Sequence, residues 1–326
     1  MDKVLNDNEQ LLLHRLQMGI PTLSRPFHLL GEELHVNEKR IIETIQGLID
    51  NGIIRWFGAI FSTRTLGYKS TLAALSLPPD RLEEAALVVN QHPGVTHNYQ
   101  RPDEYNLWFT IAVSKDQQLD EELKHLAHTA GATKWLNLPV LKTYKIALIL
   151  PLSKNSFSSK ILGRDSSDTI YSLTSEEKDI VRLLQENWPI VPEPFKVFSK
   201  KLHKQEEILI DKVNKWINFG IIRRIAPIVK HVSVGFTVNW MVAWQLREDY
   251  IDIMGERAAQ NMHISHCYKR AARPDWPYSL YTMIHARSNE EAEETVTTLR
   301  TIINPIDFKI LPTIKEFKKT RLKLFL

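Results

Sequence analysis

Apolar positions along this chain follow two spacings, first a helical one and then an alternating one, and the order is run through twice. Between residues 7 and 51 the apolar side chains fall at helical intervals in three short runs, roughly 7–19, 27–35 and 37–51. The third is the clearest, with Ile41, Ile42, Ile45, Leu48 and Ile49 on one stripe. Asp7, Asn37 and Thr174 stand where N-caps belong, and Gly31 and Gly52 near helix ends. The β-rich stretch Ile53 to Thr63 predicts a two-stranded wing, so the opening segment reads as a winged helix-turn-helix. The spacing then predicts strand, helix, strand, strand, helix, strand over about 69–78, 80–91, 95–101, 105–114, 119–130 and 138–147. That order is the ferredoxin-like split βαβ, an antiparallel sheet backed by two helices.

The second pass predicts helices at about 174–187, 194–203 and 204–219 and a wing at 221–233. Its strands and helices follow at 236–246, 248–260, 264–270, 278–287, 289–303 and 308–317. Local matches tie the copies together: Pro26-Phe27 with Pro194-Phe195, and Gly52-Ile53-Ile54-Arg55 with Gly220-Ile221-Ile222-Arg223. His97-Asn98-Tyr99-Gln100-Arg101 returns as His266-Cys267-Tyr268-Lys269-Arg270, and Leu138-Pro139 as Leu311-Pro312. The fold class is therefore α+β, a tandem duplication whose halves form an intramolecular pseudo-dimer. The expected domains are a winged helix-turn-helix at 1–67, a ferredoxin-like βαββαβ domain at 68–150, a serine-rich linker at 151–172, a second winged helix-turn-helix at 173–235 and a second ferredoxin-like domain at 236–326.

Composition narrows the function classes. Hydrophobic residues at 43% and charged residues at 25% suit a soluble globular protein, and a net charge of +4 permits an anionic partner without naming one. A single cysteine, Cys267, excludes an internal disulfide and a multi-cysteine metal site. The N-terminus has no apolar signal core, and no apolar run is long enough for a membrane span; a cytoplasmic protein without membrane association is expected. No phosphate loop, nucleophile elbow or HExxH motif is present.

The candidate chemistry lies in the repeated row. Strand alternation puts His97, Tyr99 and Arg101 on one face within about 14 Å, and His266, Tyr268 and Arg270 in the same relation. Such a row can be the polar outer face of a sheet. It can equally bind an anion and move a proton. On the partner strands, Leu107, Phe109 and Ile111 suit a core, whereas Trp108 and Tyr281 could floor a flat aromatic ligand or pack two sheets together. His285 shares a strand face with Tyr281. Arg273 sits in a longer turn found only in the second half, which reads as a recognition loop.

A winged helix-turn-helix commonly reads a major groove. Here the candidate recognition helices carry Glu38 and Glu43, then Glu206, Glu207 and Asp211, which suits a phosphate backbone poorly. The wing arginines Arg55, Arg64, Arg223 and Arg224 still permit phosphate contact.

These residues carry a family resemblance. Pro26-Phe27, Gly52-Ile53-Ile54-Arg55, Gly58-Ala59 and Leu66-Gly67-Tyr68 resemble the Lrp/AsnC regulators. His97-Asn98-Tyr99-Gln100-Arg101 with Tyr105-Asn106-Leu107-Trp108-Phe109-Thr110 resembles one subunit type of the sirohaem decarboxylases. Ser265 to Arg270 with Pro274-Asp275-Trp276-Pro277-Tyr278 and Met283-Ile284-His285 resembles the other, so the chain looks like the fused form found in haem d1 biosynthesis. Where some of that family have a second histidine after the arginine, this chain has Asp103. The resemblance implies loss of two acetate carboxylates from sirohaem as carbon dioxide, giving 12,18-didecarboxysirohaem, with no cofactor beyond the iron tetrapyrrole. It further implies His97 and His266 as proton-transfer groups, Arg101, Arg270 and Arg273 as carboxylate clamps, and Tyr99, Tyr268, Trp108, Tyr281 and His285 around the substrate. A histidine could instead ligate the sirohaem iron, with the residue unassigned and no separate metal site expected. Sirohaem is the expected partner, nucleic acid is not, and the pseudo-dimer could pair again into a homo-oligomer. The alternative is a DNA-binding regulator of Lrp/AsnC type with a small effector.

Overall fold

A computed structural model describes residues 5–146, 169–230 and 235–326. Most of the serine-rich segment expected as a linker, and part of the second wing, lie outside those residues. Each half opens with three helices: α1 (Asp7–Gln17), α2 (Pro26–Leu34) and α3 (Glu38–Asp50), then α6 (Ser175–Leu184), α7 (Pro194–Lys201) and α8 (Glu206–Asn218). Asn37 and Thr174 cap α3 and α6 as expected. The α1 cap is Asn6 rather than Asp7, because the Asn6 side chain accepts the Glu9 N–H while Glu9 answers the Asn6 backbone in a capping box. The leucines, isoleucines and aromatics of both winged-helix units share one core, from Leu13, Phe27 and Ile45 to Val181, Phe195 and Val213.

Among the described residues neither wing forms a hairpin. The first contributes one strand, β1 (Ile54–Phe61), and the second β6 (Ile222–Val229), and these two pair antiparallel with each other. The hydrogen-bonding partner missing from each half is supplied by the other, which corrects the expectation of two-stranded wings.

In the first half β2 (Lys69–Ser76), α4 (Leu82–Gln91), β3 (Val95–Gln100), β4 (Leu107–Val113), α5 (Leu119–Thr129) and β5 (Lys134–Ile146) follow the βαββαβ order. In the second, β7 (Val238–Gln245), α9 (Ile251–Ala259), β8 (Ile264–Arg270), β9 (Leu280–Ala286), α10 (Asn289–Ile303) and β10 (Asp307–Pro312) repeat it, and β11 (Lys315–Lys319) is added. The strands join into one nine-stranded sheet ordered β10-β7-β9-β8-β5-β2-β4-β3-β11. Each half donates its last strand across the pseudo-dyad. The long β5 pairs first with β2 and then with β8, while β10 pairs with β7 and its continuation β11 with β3. Because only Thr313 and Ile314 separate β10 from β11, the two edges of the sheet are bridged by one stretch of chain and the strands form a ring.

Strand alternation then sorts the side chains. Leu107, Phe109 and Ile111 pack outward against the helices of the first half, and Val242, Trp244, Leu280 and Ile284 do so in the second. Trp108, Leu136, Leu138, Met241, Trp276, Tyr281 and Leu311 turn inward and pack on one another. Gly255 in α9 permits this join, since a Cβ there would lie 2.4 Å from the ring of Tyr144 on β5.

Candidate functional site

Both His-Tyr-Arg rows face the inside of the ring. With β1 and β6 above them they line a single cavity of about 740 Å³. The sequence-predicted residues His97, Tyr99, Arg101, Trp108, His266, Tyr268, Arg270, Tyr281 and His285 all lie on its wall.

Each histidine is placed by a bulge. Pairing of β3 with β4 skips Thr96, and pairing of β8 with β9 skips Ser265. The extra residue brings its hydroxyl to the following imidazole: Thr96 Oγ1 lies 2.9 Å from His97 Nδ1, and Ser265 Oγ 2.8 Å from His266 Nδ1. Ser265 also donates to the Met283 carbonyl at 3.3 Å, so its oxygen is left to accept from His266 Nδ1–H. That assignment leaves the lone pair on Nε2. Both imidazoles tilt against the tyrosine two residues on, with ring centroids 6.2 Å apart in the first half and 5.9 Å in the second.

Each arginine crosses to the other half. Arg101 Nη1 donates to the Leu311 carbonyl, and Arg270 Nη1 to the Leu138 carbonyl at 2.5 Å. The Leu-Pro repeat thus supplies a buried acceptor in each half. The guanidiniums lie over their own row's tyrosines, 5.3 Å from the Tyr99 centroid and 5.1 Å from that of Tyr268. Arg270 Nε has no hydrogen-bond partner among the described residues, so donor capacity is unspent.

Electrostatics favour an anionic guest. Arg55, Arg101, Lys230, Arg270, Lys319 and Arg321 line the cavity, and no Asp or Glu among the described residues does. Burial, reinforced by Lys319 and Arg55, pushes the His97 pKa down to about 4. Burial, reinforced by His285, His97, Arg270 and Lys145, pushes that of His266 to about 3. Both are therefore neutral at pH 7 in this environment. Burial likewise raises the phenols of Tyr99 and Tyr268, which stay protonated donors. Arg101, pushed down to about 10 by burial, remains a cation.

Family models match both kinds of domain in both halves. The AsnC-like ligand binding domain matches residues 65–145 and 233–318, and the siroheme decarboxylase NirDL-like HTH domain residues 9–55 and 177–223. A siroheme decarboxylase from Hydrogenobacter thermophilus is 34% identical over 319 residues, spanning 96% of this chain and 94% of that protein. The chain belongs to the sirohaem decarboxylase family, in its fused single-chain form. Membership places it among the carboxy-lyases. The crystal structure of the siroheme decarboxylase NirDL superposes with a TM-score of 0.79 at 31% identity, covering 98% of this chain and 95% of that one. That decarboxylase in complex with an iron-uroporphyrin III analogue superposes at 0.77, with the same identity and coverage.

One expected sirohaem decarboxylase site residue is displaced. Arg273 is absent from the cavity wall; it is exposed and lies 3.6 Å from Asp275. Its loop acts as a plug instead. Trp276 is 2% exposed, packs on Trp108 with centroids 5.4 Å apart, and donates to Tyr281 Oη at 2.7 Å. Tyr105 of the first half donates to Asp275 at 2.8 Å, so the insertion joins the halves. Trp108 and Tyr281 show the cavity only a small surface, since each is at least 98% buried and its polar atom is bonded internally. Asp103, the family departure, holds Lys309 at 2.5 Å.

Lys230, Lys319 and Arg321 have no expected role from sequence, and Arg55 stands there among possible phosphate contacts. For Lys319 and Arg321 the signal is a basic run, Lys315 to Lys323, whose meaning depends on where that segment folds. Among the described residues no helix is long and apolar enough to cross a membrane.

Proposed function

We propose that the chain removes two acetate carboxylates from sirohaem as carbon dioxide, giving 12,18-didecarboxysirohaem, with both histidines working at one bound macrocycle. The observation that carries this is the convergence of two His-Tyr-Arg rows on one cation-lined cavity that has no acid among the described residues. In each step the bond between the methylene and the carboxylate breaks. Its electron pair stays on the methylene carbon, where the macrocycle delocalises it, and a proton then completes a methyl group. No electrons are lost overall, so no oxidant and no cofactor beyond the iron tetrapyrrole is required.

The electrostatics suit the proton's arrival. An imidazole kept neutral by burial gains proton affinity when a carboxylate is brought beside it. Substrate binding thus arms His97 and His266 as general acids, each with Nδ1 held by its bulge hydroxyl and Nε2 left to carry the proton. Arg101 and Arg270, already fixed by one bond to the opposite half, turn remaining N–H groups to substrate carboxylates. Tyr99 and Tyr268 donate hydrogen bonds beside them. His285 completes the wall next to His266.

The test is anaerobic incubation of the purified chain with sirohaem, followed by mass spectrometry of the pigment. A product lighter by two carbon dioxides is expected. A pigment bound but unchanged in mass overturns the assignment in favour of a binding protein, and salt-dependent retardation of duplex DNA without turnover overturns it in favour of a regulator.

A further inference from the structure

The two ends of the cavity differ where the strands exchanged between halves meet the histidines. Lys319 on β11 stands opposite His97, whereas the matching position opposite His266 on β5 is Ile146. On the other flank Thr110 pairs with His97 and Met283 with His266. Beyond Lys319 the chain runs on as a strap along the cavity, Thr320, Arg321, Leu322 and Leu324 being wall residues. The strap is anchored: Gln185, which caps the end of α6, donates to the Leu324 carbonyl at 3.1 Å and accepts its N–H at 2.8 Å, and Phe325 N–H reaches Tyr68 Oη at 2.8 Å. Arg321 lies 3.9 Å from the Trp56 ring centroid and donates one N–H to the Gln185 carbonyl. Arg55 Nη1 donates to the Lys319 carbonyl at 3.3 Å, which closes the group. The nearest acid to Lys319 is Glu316, 3.8 Å from its ammonium and outside the cavity. Arg223, the counterpart of Arg55, lies near Tyr268 but is not on the cavity wall. In sequence, Ala147 to Pro151 correspond to Thr320 to Leu324 and carry no cation.

We infer that Arg55, Lys319 and Arg321 form a carboxylate anchor at the His97 end, unmatched at the His266 end among the described residues, which holds an anionic side chain of the tetrapyrrole and fixes which way round it lies. Two nearly equivalent histidines facing a ring with similar arms at its rim need such a bias if each is to meet a defined acetate. The inference rests on the tetrapyrrole reading above. It assigns orientation, not proton transfer, to the three cations.

The test compares the full chain with Lys319→Met/Arg321→Met by titration with iron-uroporphyrin and by partial turnover of sirohaem. Losing two charge-assisted contacts is expected to weaken iron-uroporphyrin binding by about ten-fold or more. At partial conversion the parent accumulates one monodecarboxylated isomer and the variant both. Arg321→Lys restores part of the binding, and Lys323→Met, on the same tail but outside the cavity wall, leaves it unchanged. If the double variant fails to fold, Lys319→Met alone carries the same two readouts. Parental binding and a parental isomer pattern in the variants overturn the anchor. A parent that binds iron-uroporphyrin without decarboxylating sirohaem overturns the proposed reaction, while the binding comparison still decides the anchor; a parent that binds neither overturns both.

Discussion

His97 and His266 are set by the same devices: a bulged hydroxyl residue before each, a tyrosine ring beside each, and an arginine two further on that reaches a leucine carbonyl in the opposite half. Their flanks are not the same. Thr110 and Lys319 stand beside His97, Met283 and Ile146 beside His266, and His285 has Ala112 as its counterpart. The comparison teaches that duplication kept the parts that build the cavity and varied the parts that distinguish its ends. A symmetric dimer offers a ligand two identical approaches; a fused pair can give an asymmetric ligand one.

The largest effects should come from the histidines. His97→Ala and His266→Ala are each expected to slow carbon dioxide release by about 10²-fold or more, the range for a general acid. Thermal unfolding should move little, since neither imidazole belongs to a hydrophobic core cluster. Parental rates in both variants would remove the proposed proton-transfer roles, and a loss in only one would confine chemistry to that end.

The crossing arginines come next and should behave alike. Arg101→Met and Arg270→Met each leave a buried carbonyl without its donor, at a cost of about 1.5–3 kcal/mol read from denaturant midpoints. Unequal costs beyond that range would show that the seam between halves is less symmetric than its hydrogen bonds.

A smaller effect follows from the desolvated imidazoles. Their pKa values, about 4 and 3 in the folded chain, lie below the ordinary 6.5. In the window between, the unfolded chain binds more protons than the folded one, so stability is lost as pH falls from about 6.5 toward 4. The unliganded melting temperature should drop over that window. His97→Gln and His266→Gln should each flatten the slope, and an unchanged slope would contradict the burial of that imidazole. Saturation with an anionic tetrapyrrole should flatten it too. The smallest effect is expected at Arg273→Ala, which lies off the cavity and should keep turnover within about two-fold.

Much of this arrangement was legible beforehand, for identifiable reasons. The rows were visible because a period of two puts His97, Tyr99 and Arg101 on one face whatever the strand pairs with. The βαββαβ order was visible because each element carries its own local pattern. The pairing of β1 with β6 was not, since nothing in Ile54–Phe61 says that its partner lies in the other half rather than across a turn. The bulges at Thr96 and Ser265 were equally hidden, because a bulge is a mismatch between two strands. The meeting of Arg55, Lys230, Lys319 and Arg321 depends on a tail folded back over the first wing. An Arg- and Trp-bearing insertion has the composition of a recognition loop, yet in the fold Arg273 lies off the cavity wall and the insertion's tryptophan is spent on the core.

The claim beneath all of this is that two rows serve one ligand. Anaerobic titration of the chain with sirohaem, followed by its visible absorbance, tests it directly. Saturation at one tetrapyrrole per chain, with the endpoint disturbed by substitution of either histidine, is the predicted result. Saturation at two per chain, or one half's substitutions leaving the spectrum untouched, would contradict it.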